Sequence, residues 1–468
     1  MSTFSGLQTA ASGLAAARRA MDVVGQNIVN QTTEGYTRQR VRTQAVAATA
    51  THGRFSVGAA PGQGVAVTGV ARLGDEVLDA RVRDSMAAAG FTSVRALAAT
   101  SAEATLAEPT DEGLAARLSA FWNGWQDLAN TPTSGAAAAV VIESGRDITA
   151  QLANTYRAIA AQWTEMRAGV DRAVTEINTL AGQVADLNVQ IRDGLAAGRS
   201  VNELLDQRSV LAQSLAYVAG ATATVEADGT MTVRLDGNAL VAGDRARAIA
   251  AAGAPTLDSG TAVAMRWADS GNALTLSQGT LGGQLSALAP ASEGGPLAQV
   301  AAALNDLATA LATSVNAAHQ SGVTASGAPG GQFFSLASGV PAALGIQVAV
   351  TDAADLALGA PGAGAQDGSN ADAISQLGQG ADSPDRLWSE RVSAFAVATA
   401  GDIQRARLAE TTATTAVAAQ QSVAAVDGDE ETVNLVAFQS AYQAAARIVT
   451  AVDEALDVII NRMGLVGR

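Results

Sequence analysis

Two histidines, His52 and His319, stand far apart in a chain of 468 residues that has no cysteine. Metal sites draw on clustered histidine, cysteine and carboxylate ligands, and two separated imidazoles without a thiolate do not form such a cluster. His319 falls at the end of an expected helix, where the ordinary role is a surface position or a cap on the last carbonyls. His52 falls in an expected loop. Serines are plentiful, yet no Gly-x-Ser-x-Gly elbow presents one on a strained turn. The phosphate-cradling loop needs a lysine, which the sequence lacks throughout, and no Gly-x-Gly-x-x-Gly leads from a strand into a helix. Paired carboxylates such as Glu430–Glu431 and Asp75–Glu76 fall at helix starts, where negative charge complements the helix dipole. The run Leu204-Leu205-Asp206-Gln207-Arg208 reads as a polar cluster, which a local helix salt bridge or a packing contact explains. Asn30-Gln31-Thr32 matches a glycosylation triplet of a kind that chance often produces. No catalytic, cofactor or metal site emerges, so the informative residues are those whose spacing builds surfaces.

The strongest spacing lies near the C-terminus. Leu435, Tyr442, Val449, Leu456 and Met463 recur every seven residues, and Phe438, Ala445, Val452 and Ile459 form a second series three residues later. That is the a/d seam of a helix built to lie along other helices. Near the N-terminus Leu7, Leu14, Met21 and Ile28 repeat the period, each led by Phe4, Ala11, Arg18 or Gly25. This second seam is looser, because arginine and glycine are poor core residues. Alanines at 10, 11 and 15–17 keep the helix slim and open to close approach. Either stripe alone could be one face of an ordinary core. Matched seams at opposite ends of one chain predict that the terminal helices meet, within a subunit or between subunits.

Between these ends the period changes twice. Helical patterns run from about Asp75 to Glu108 and restart after Pro109, with Leu114, Leu118, Phe121, Trp122 and Trp125 on one face of a helix over 111–130. Another runs from Thr131–Pro132, with one interruption, to about 193, and a shorter one covers 201–218. Over 219–281 the alternation is two-residue, with the turn pairs Asp228-Gly229 and Asp236-Gly237. Helices return at 282–289 and 297–319, and occupy nearly all of 384–466 with a break at Asp427–Gly428–Asp429. The expected fold is mainly α with a smaller β portion, elongated and multidomain. A terminal coiled-coil inner domain (1–40 with 428–468) joins a helical-bundle middle domain (41–218, 282–335 and 370–427) that carries a hairpin or loop at 41–75. A small β-rich subdomain covers 219–281, and 336–369 forms a reduced variable outer segment.

Charge narrows the partners. The chain carries 29 basic and 44 acidic residues for a net charge of −15, and all the basic ones are arginine. Nucleic acid is not an expected partner, because phosphate binding needs a concentrated basic face. No run of about 18 apolar residues suits a bilayer span, so membrane insertion is not expected. The first residues do not read as a cleavable signal, since Arg18–Arg19 follow the apolar residues instead of preceding them. Export, if it occurs, is expected to proceed without signal cleavage.

The segment 5–41, SGLQTAASGLAAARRAMDVVGQNIVNQTTEGYTRQRV, resembles the N-terminal signature of bacterial flagellar rod, hook and hook-associated proteins. The resemblance lies in its spaced small residues, in Asn27-Ile28-x-Asn30 and in Gly35-Tyr36. The segment 434–464 resembles the matching C-terminal signature. Three internal stretches point to the hook-associated branch at the hook–filament junction. They are Tyr36-Thr37-Arg38-Gln39, VNELLDQRSVLAQSL (201–215) and LNDLATALATSVNAAHQSGVTASGAPGGQFFS (304–335). The resemblance covers about half of the chain. It implies a non-enzymatic structural subunit, secreted to the extracellular flagellum, whose paired terminal helices form the inner tube. It also implies a ring-like homo-oligomer, with the hook protein, hook-associated protein 3 and a cytoplasmic export chaperone as partners. Residues expected to carry assembly are Leu7, Leu14, Met21, Ile28, Leu435, Phe438, Tyr442, Ala445, Val449, Val452, Leu456 and Ile459. Two other readings compete. Hook-associated protein 3 or a flagellin-like subunit lacks the Leu-Leu-Asp-Gln-Arg and Phe-Phe segments, and a cytosolic helical adaptor would need neither Asn-Ile-x-Asn nor Gly-Tyr.

Overall fold

A computed structural model describes residues 3–47, 62–259 and 261–458, with side-chain burial from residue 6 onward. His52, Ile459 and Met463 lie outside the described residues. The chain opens with α1 (Thr3–Val29) and turns into the antiparallel pair β1 (Gln39–Ala45) and β2 (Val65–Arg72). A bulge between Arg42 and Thr43 shifts the register of this pair, so that Val65, Val67 and Val70 stand opposite Ala45, Thr43 and Val41 on one face, with Val67 exposed.

The shaft begins at α2 (Glu76–Leu106), which Asp75 caps by accepting hydrogen bonds from the Val77 and Leu78 amides. Then come α3 (Leu114–Asn130), α4 (Gly135–Ala196) and α5 (Asn202–Ala219). The 62 residues of α4 are helical throughout, with no interruption, and at 1.5 Å per residue it spans roughly 93 Å. Its buried residues recur every three or four positions, from Val141, Ile148 and Leu152 through Ile159 and Trp163 to Ile177, Val184 and Ile191. That continuous stripe explains why it does not break: each turn has a partner.

Past α5 the chain forms two antiparallel sheets. The first contains β3 (Thr222–Val225), β4 (Met231–Leu235), β5 (Asn238–Ala242) and β6 (Arg245–Ala246). The second contains β7 (Ile249–Gly253), β8 (Val263–Trp267) and β9 (Ala273–Leu274). Asp236 (φ 48°) and Gly237 (φ 74°) make the two-residue turn between β4 and β5, both in the left-handed region that this tight hairpin demands. Both sheets lie against the C-terminal half of α4. Asn178 bonds both backbone groups of Ile249, and Asn188 reaches Met231 and Gly243.

Helices α6 (Gly279–Ala287) and α7 (Pro296–Ser321) return to the shaft. A set of short elements follows: β10 (Val323–Thr324), β11 (Phe334–Leu336), α8 (Ala342–Gly345), β12 (Ile346–Val348), β13 (Ala357–Gly359) and α9 (Ser369–Ser375). The stretch 336–369 lies against the shaft, and Ile346, Val350, Leu356 and Leu358 enter its core. Finally α10 (Pro384–Ala424) runs back along α2, and α11 (Gly428–Asp457) runs back along α1.

At the far end of the shaft, Phe121, Trp125, Phe333 and Phe334 are fully buried and in mutual ring contact. Burying each such ring contributes about 1.5–3 kcal/mol. Asn316 holds the loop that delivers the two phenylalanines. Its Oδ1 accepts both their amides at 2.9 Å and its Nδ2 donates to the Phe334 carbonyl at 2.7 Å. His319 belongs to this core and is fully buried, which corrects the expected surface or capping position. Its Nε2 accepts the Ala357 amide at 3.0 Å and its Nδ1 lies 2.9 Å from the Gly331 carbonyl. Those partners define a neutral imidazole protonated at Nδ1, and burial pushes its pKa down.

Candidate functional site: a buried polar joint

Hydrophobic spacing alone does not explain where α1 and α11 meet the shaft. There the end of α1, the strand pair, α2, α5, α10 and the start of α11 converge on a cluster of buried polar groups. Asn27 is 1% exposed and uses all its hydrogen-bonding capacity. Its Oδ1 accepts the Gln39 amide at 3.0 Å and the Tyr36 hydroxyl at 2.9 Å. Its Nδ2 donates to the Gln39 carbonyl at 2.9 Å and to Glu431 Oε2 at 3.1 Å. One amide thus fastens α1 to the start of β1 and to α11. Tyr36 is held protonated for this role. Burial, with Asp206, Glu203 and Glu431 nearby, pushes its pKa up to about 12.

Glu431 is 1% exposed, so it does more than complement the helix dipole in the first turn of α11. Its Oε1 receives Arg38 Nε at 2.7 Å, and Arg38 Nη1 also donates to Glu430 at 2.9 Å. The hydrogen bond to Glu430, then that to Glu431, raises the Arg38 pKa. The Arg38 amide donates to the Ala424 carbonyl at 2.9 Å, joining the strand entry to the end of α10.

The 204–208 motif faces two ways, which corrects the local salt-bridge reading. Asp206 points toward the strand pair, accepting the Thr37 amide at 3.1 Å and Arg72 Nε at 2.5 Å. Arg208 points to the sheets, donating to Asn188 at 2.9 Å and the Gly229 carbonyl at 2.7 Å. Desolvation, followed by the charge of Arg72, lowers its pKa to about 10. Leu204 and Leu205 pack on the small apolar cluster of Leu187, Ile191 and Val201, and Gln207 is exposed. Gly35 (φ 75°) lies so close to α5 that a Cβ there would stand 2.2 Å from Val210. Asn30 closes the end of α1 by donating to the Gln26 carbonyl at 3.0 Å.

Sequence reasoning missed several members of the joint. Arg72 and Asp79 lie 3.8 Å apart, Gln420 donates to Asp79 at 2.6 Å, and Asn202 donates to the Gln39 side chain at 3.0 Å. No local signal marks them, since their partners are distant in the chain.

Helix α11 runs antiparallel to α1: Asn27 meets Glu431 at one end, and Gly6 faces Val452 near the other. Along α11 the shielded positions include Leu435, Phe438, Tyr442, Ala445, Val449, Val452 and Leu456. Only Ala445 of these is fully buried. On α1 the covered face differs from the expected seam. Ala10, Ala16, Ala17, Ala20, Val23 and Val24 are buried, Leu7, Leu14, Met21 and Ile28 are half-buried, and Ala11 and Arg18 are exposed. The strand pair accounts for the offset, because it covers α1 alongside α11 and claims the small-residue face. Among the described residues no group of three or more His, Cys, Asp or Glu could hold a metal ion, and no helix is long and apolar enough to cross a membrane.

Comparison with known proteins agrees at both ends and the middle. Residues 7–37 match the family described as flagella basal body rod protein, and 420–463 match the C-terminal family of the flagellar basal body rod FlgEFG proteins. Terminal helices of the flagellar rod type, joined to a helical shaft, define the class. Residues 99–334, about half of the chain, match the helical domain of flagellar hook-associated protein FlgK. The chain is 31% identical to flagellar hook-associated protein 1 of Bacillus subtilis over 100% of both chains. It is 32% identical to the Salmonella typhimurium protein of that name over 71% of this chain and 59% of the relative. A solved structure of the flagellar hook junction protein FlgK from Burkholderia pseudomallei shares the fold. Its TM-score is 0.63 at 16% identity, covering 74% of this chain and 100% of the other. The chain belongs to the flagellar hook-associated protein 1 family.

Proposed function

We propose that this chain is a structural subunit of the junction between flagellar hook and filament, and that it assembles through α1 and α11. One observation carries the assembly reading. The seam side chains of the terminal pair are only half-covered within the chain, while the joint that anchors the pair is fully buried and hydrogen-bonded. A pair meant to end at two helices would bury its leucines, whereas a pair meant for a tube wall leaves apolar surface for neighbouring copies. Leu7, Leu14, Met21, Ile28, Leu435, Phe438, Tyr442, Val449, Val452 and Leu456 bury further on assembly, and Ile459 continues the same seam in sequence. Asn27, Asn30, Gly35 and Tyr36, with the 204–208 motif, transmit load from the tube layer to the shaft.

The work is mechanical and steric, with no catalytic step, cofactor or metal. Copies form a ring-like layer between the hook protein below and hook-associated protein 3 above. A cytoplasmic chaperone holds the C-terminal helix before export, which proceeds without signal cleavage to the extracellular flagellum. Neither nucleic acid nor a bilayer is a partner. The test is deletion of the gene, with electron microscopy of the cells and assay of the medium. Hooks without filaments and shed flagellin are expected. Normal filaments would overturn the junction role, and missing hooks would move the protein to the rod or hook.

A further inference from the structure

A groove of about 700 Å³ lies beside the joint, between the turn after α1 and the helices α4 and α5. Its floor is apolar, made by Leu187 (buried) with Tyr36, Val210 and Leu211 (half-buried). Its rim carries Glu34 and Asp186, both exposed and without an ion pair among the described residues. The terminal pair has the opposite character in its midsection. Arg18 and Arg19 on α1 are exposed and likewise without an ion pair among the described residues. Ala11 and Ala15, exposed in the turns before them, leave the helix surface low enough for close approach.

Each copy carries a net charge of −15, so copies repel unless opposite patches are brought together. We propose that the groove receives the Arg18–Arg19 turn of α1 from a second copy of this chain. The arginine stems cover the apolar floor and the guanidinium heads reach Glu34 and Asp186, as arginine does on mixed surfaces. The contact cannot form within one chain. Twelve residues of helix separate Arg18 from Asn30, about 18 Å at 1.5 Å per residue. The inference rests on the reading of the chain as a self-assembling subunit and names the surfaces by which two copies meet.

The absence of cysteine makes the test clean. Full-length chain carrying Arg18→Cys and Glu34→Cys is expressed in place of the native one, and isolated hook–filament structures are treated with a bifunctional thiol cross-linker as long as an arginine–glutamate pair, since a direct disulfide requires Cα atoms within about 7 Å. Adjacent copies give a ladder of linked chains, and either single variant gives none beyond dimers. Rings that contain the double variant but show no ladder overturn the proposal. A ladder from Arg42→Cys with Glu34→Cys in its place also overturns it, assigning the groove to the strand pair of the neighbour. If the native chain is absent from purified hook–filament structures, the axial reading itself fails. Independently, Glu34→Arg with Asp186→Arg should reduce swimming-ring diameter several-fold, and Arg18→Glu with Arg19→Glu in the same chain should restore it. Failure of that restoration in correctly folded protein would also contradict the pairing.

Discussion

Around His319, the rings of Phe121, Trp125, Phe333 and Phe334 pack into an apolar core, and Asn316 there holds the loop that delivers two of those rings. Around Asn27 the proportions reverse. Arg38, Glu431, Arg72 and Asp206 are largely buried, and the nearest apolar cluster is the small one of Leu187, Ile191 and Val201. Apolar packing is non-directional and tolerates small adjustments of angle. A charge-assisted hydrogen bond is directional and expensive to leave unpaired. The shaft therefore owes its stability to burial, whereas the terminal pair is docked by a few contacts that define its orientation.

The sharpest way to break this contrast is Phe333→Ala. Emptying the ring's site should cost the shaft about 3–5 kcal/mol, read as a lowered midpoint in urea unfolding. At the joint, Glu431→Gln should cost about 1.5–3 kcal/mol of docking, the range for hydrogen bonds to charged groups. Here the shaft's unfolding midpoint should stay near that of the native chain, while limited proteolysis after residue 424 accelerates. A matching loss in both regions would erase the distinction. Gly35→Ala sharpens it from the backbone side. The positive φ costs about 1–2 kcal/mol, and the Cβ must displace Val210 from 2.2 Å, so docking of the terminal pair weakens more than shaft stability.

The smallest effect is a pH slope. The unfolded His319 imidazole titrates near 6.5, and burial lowers the folded value. The unfolded state therefore binds more protons below that pH, and stability falls as pH drops below about 6.5, by at most about 1.4 kcal/mol per pH unit. In His319→Gln that part of the acid dependence should vanish from melting curves of the shaft. An unchanged slope would show that His319 is not neutral in the fold.

Period was the legible part of the sequence. The stripe of α11, the helices around α3 and α5 and the two-residue alternation of the sheets follow from spacing, because each element keeps one continuous apolar face toward whatever covers it. Helix α1 shows where spacing misleads. It has two coverings, α11 and the strand pair, and its alanines fill the tight side while its larger residues stay half-exposed. The joint was legible only as motif residues. Asn27, Tyr36, Arg38 and Asp206 stood out, but the partners Glu431 and Arg72 lie up to hundreds of residues away, and buried charge leaves no periodic mark. His319 was misplaced for the same reason: the residues that bury it arrive from α3 and from the loop that Asn316 holds.

The most direct test of the two-region account is hydrogen exchange on the full chain, free in solution and in isolated hook–filament structures. The account predicts that amides of α4 and α7 are protected to a similar degree in both. Those of α1 and α11 should exchange at least tenfold faster in the free chain and become protected on assembly. Terminal helices as protected as α4 in the free chain, or unprotected in the assembled structure, would contradict it.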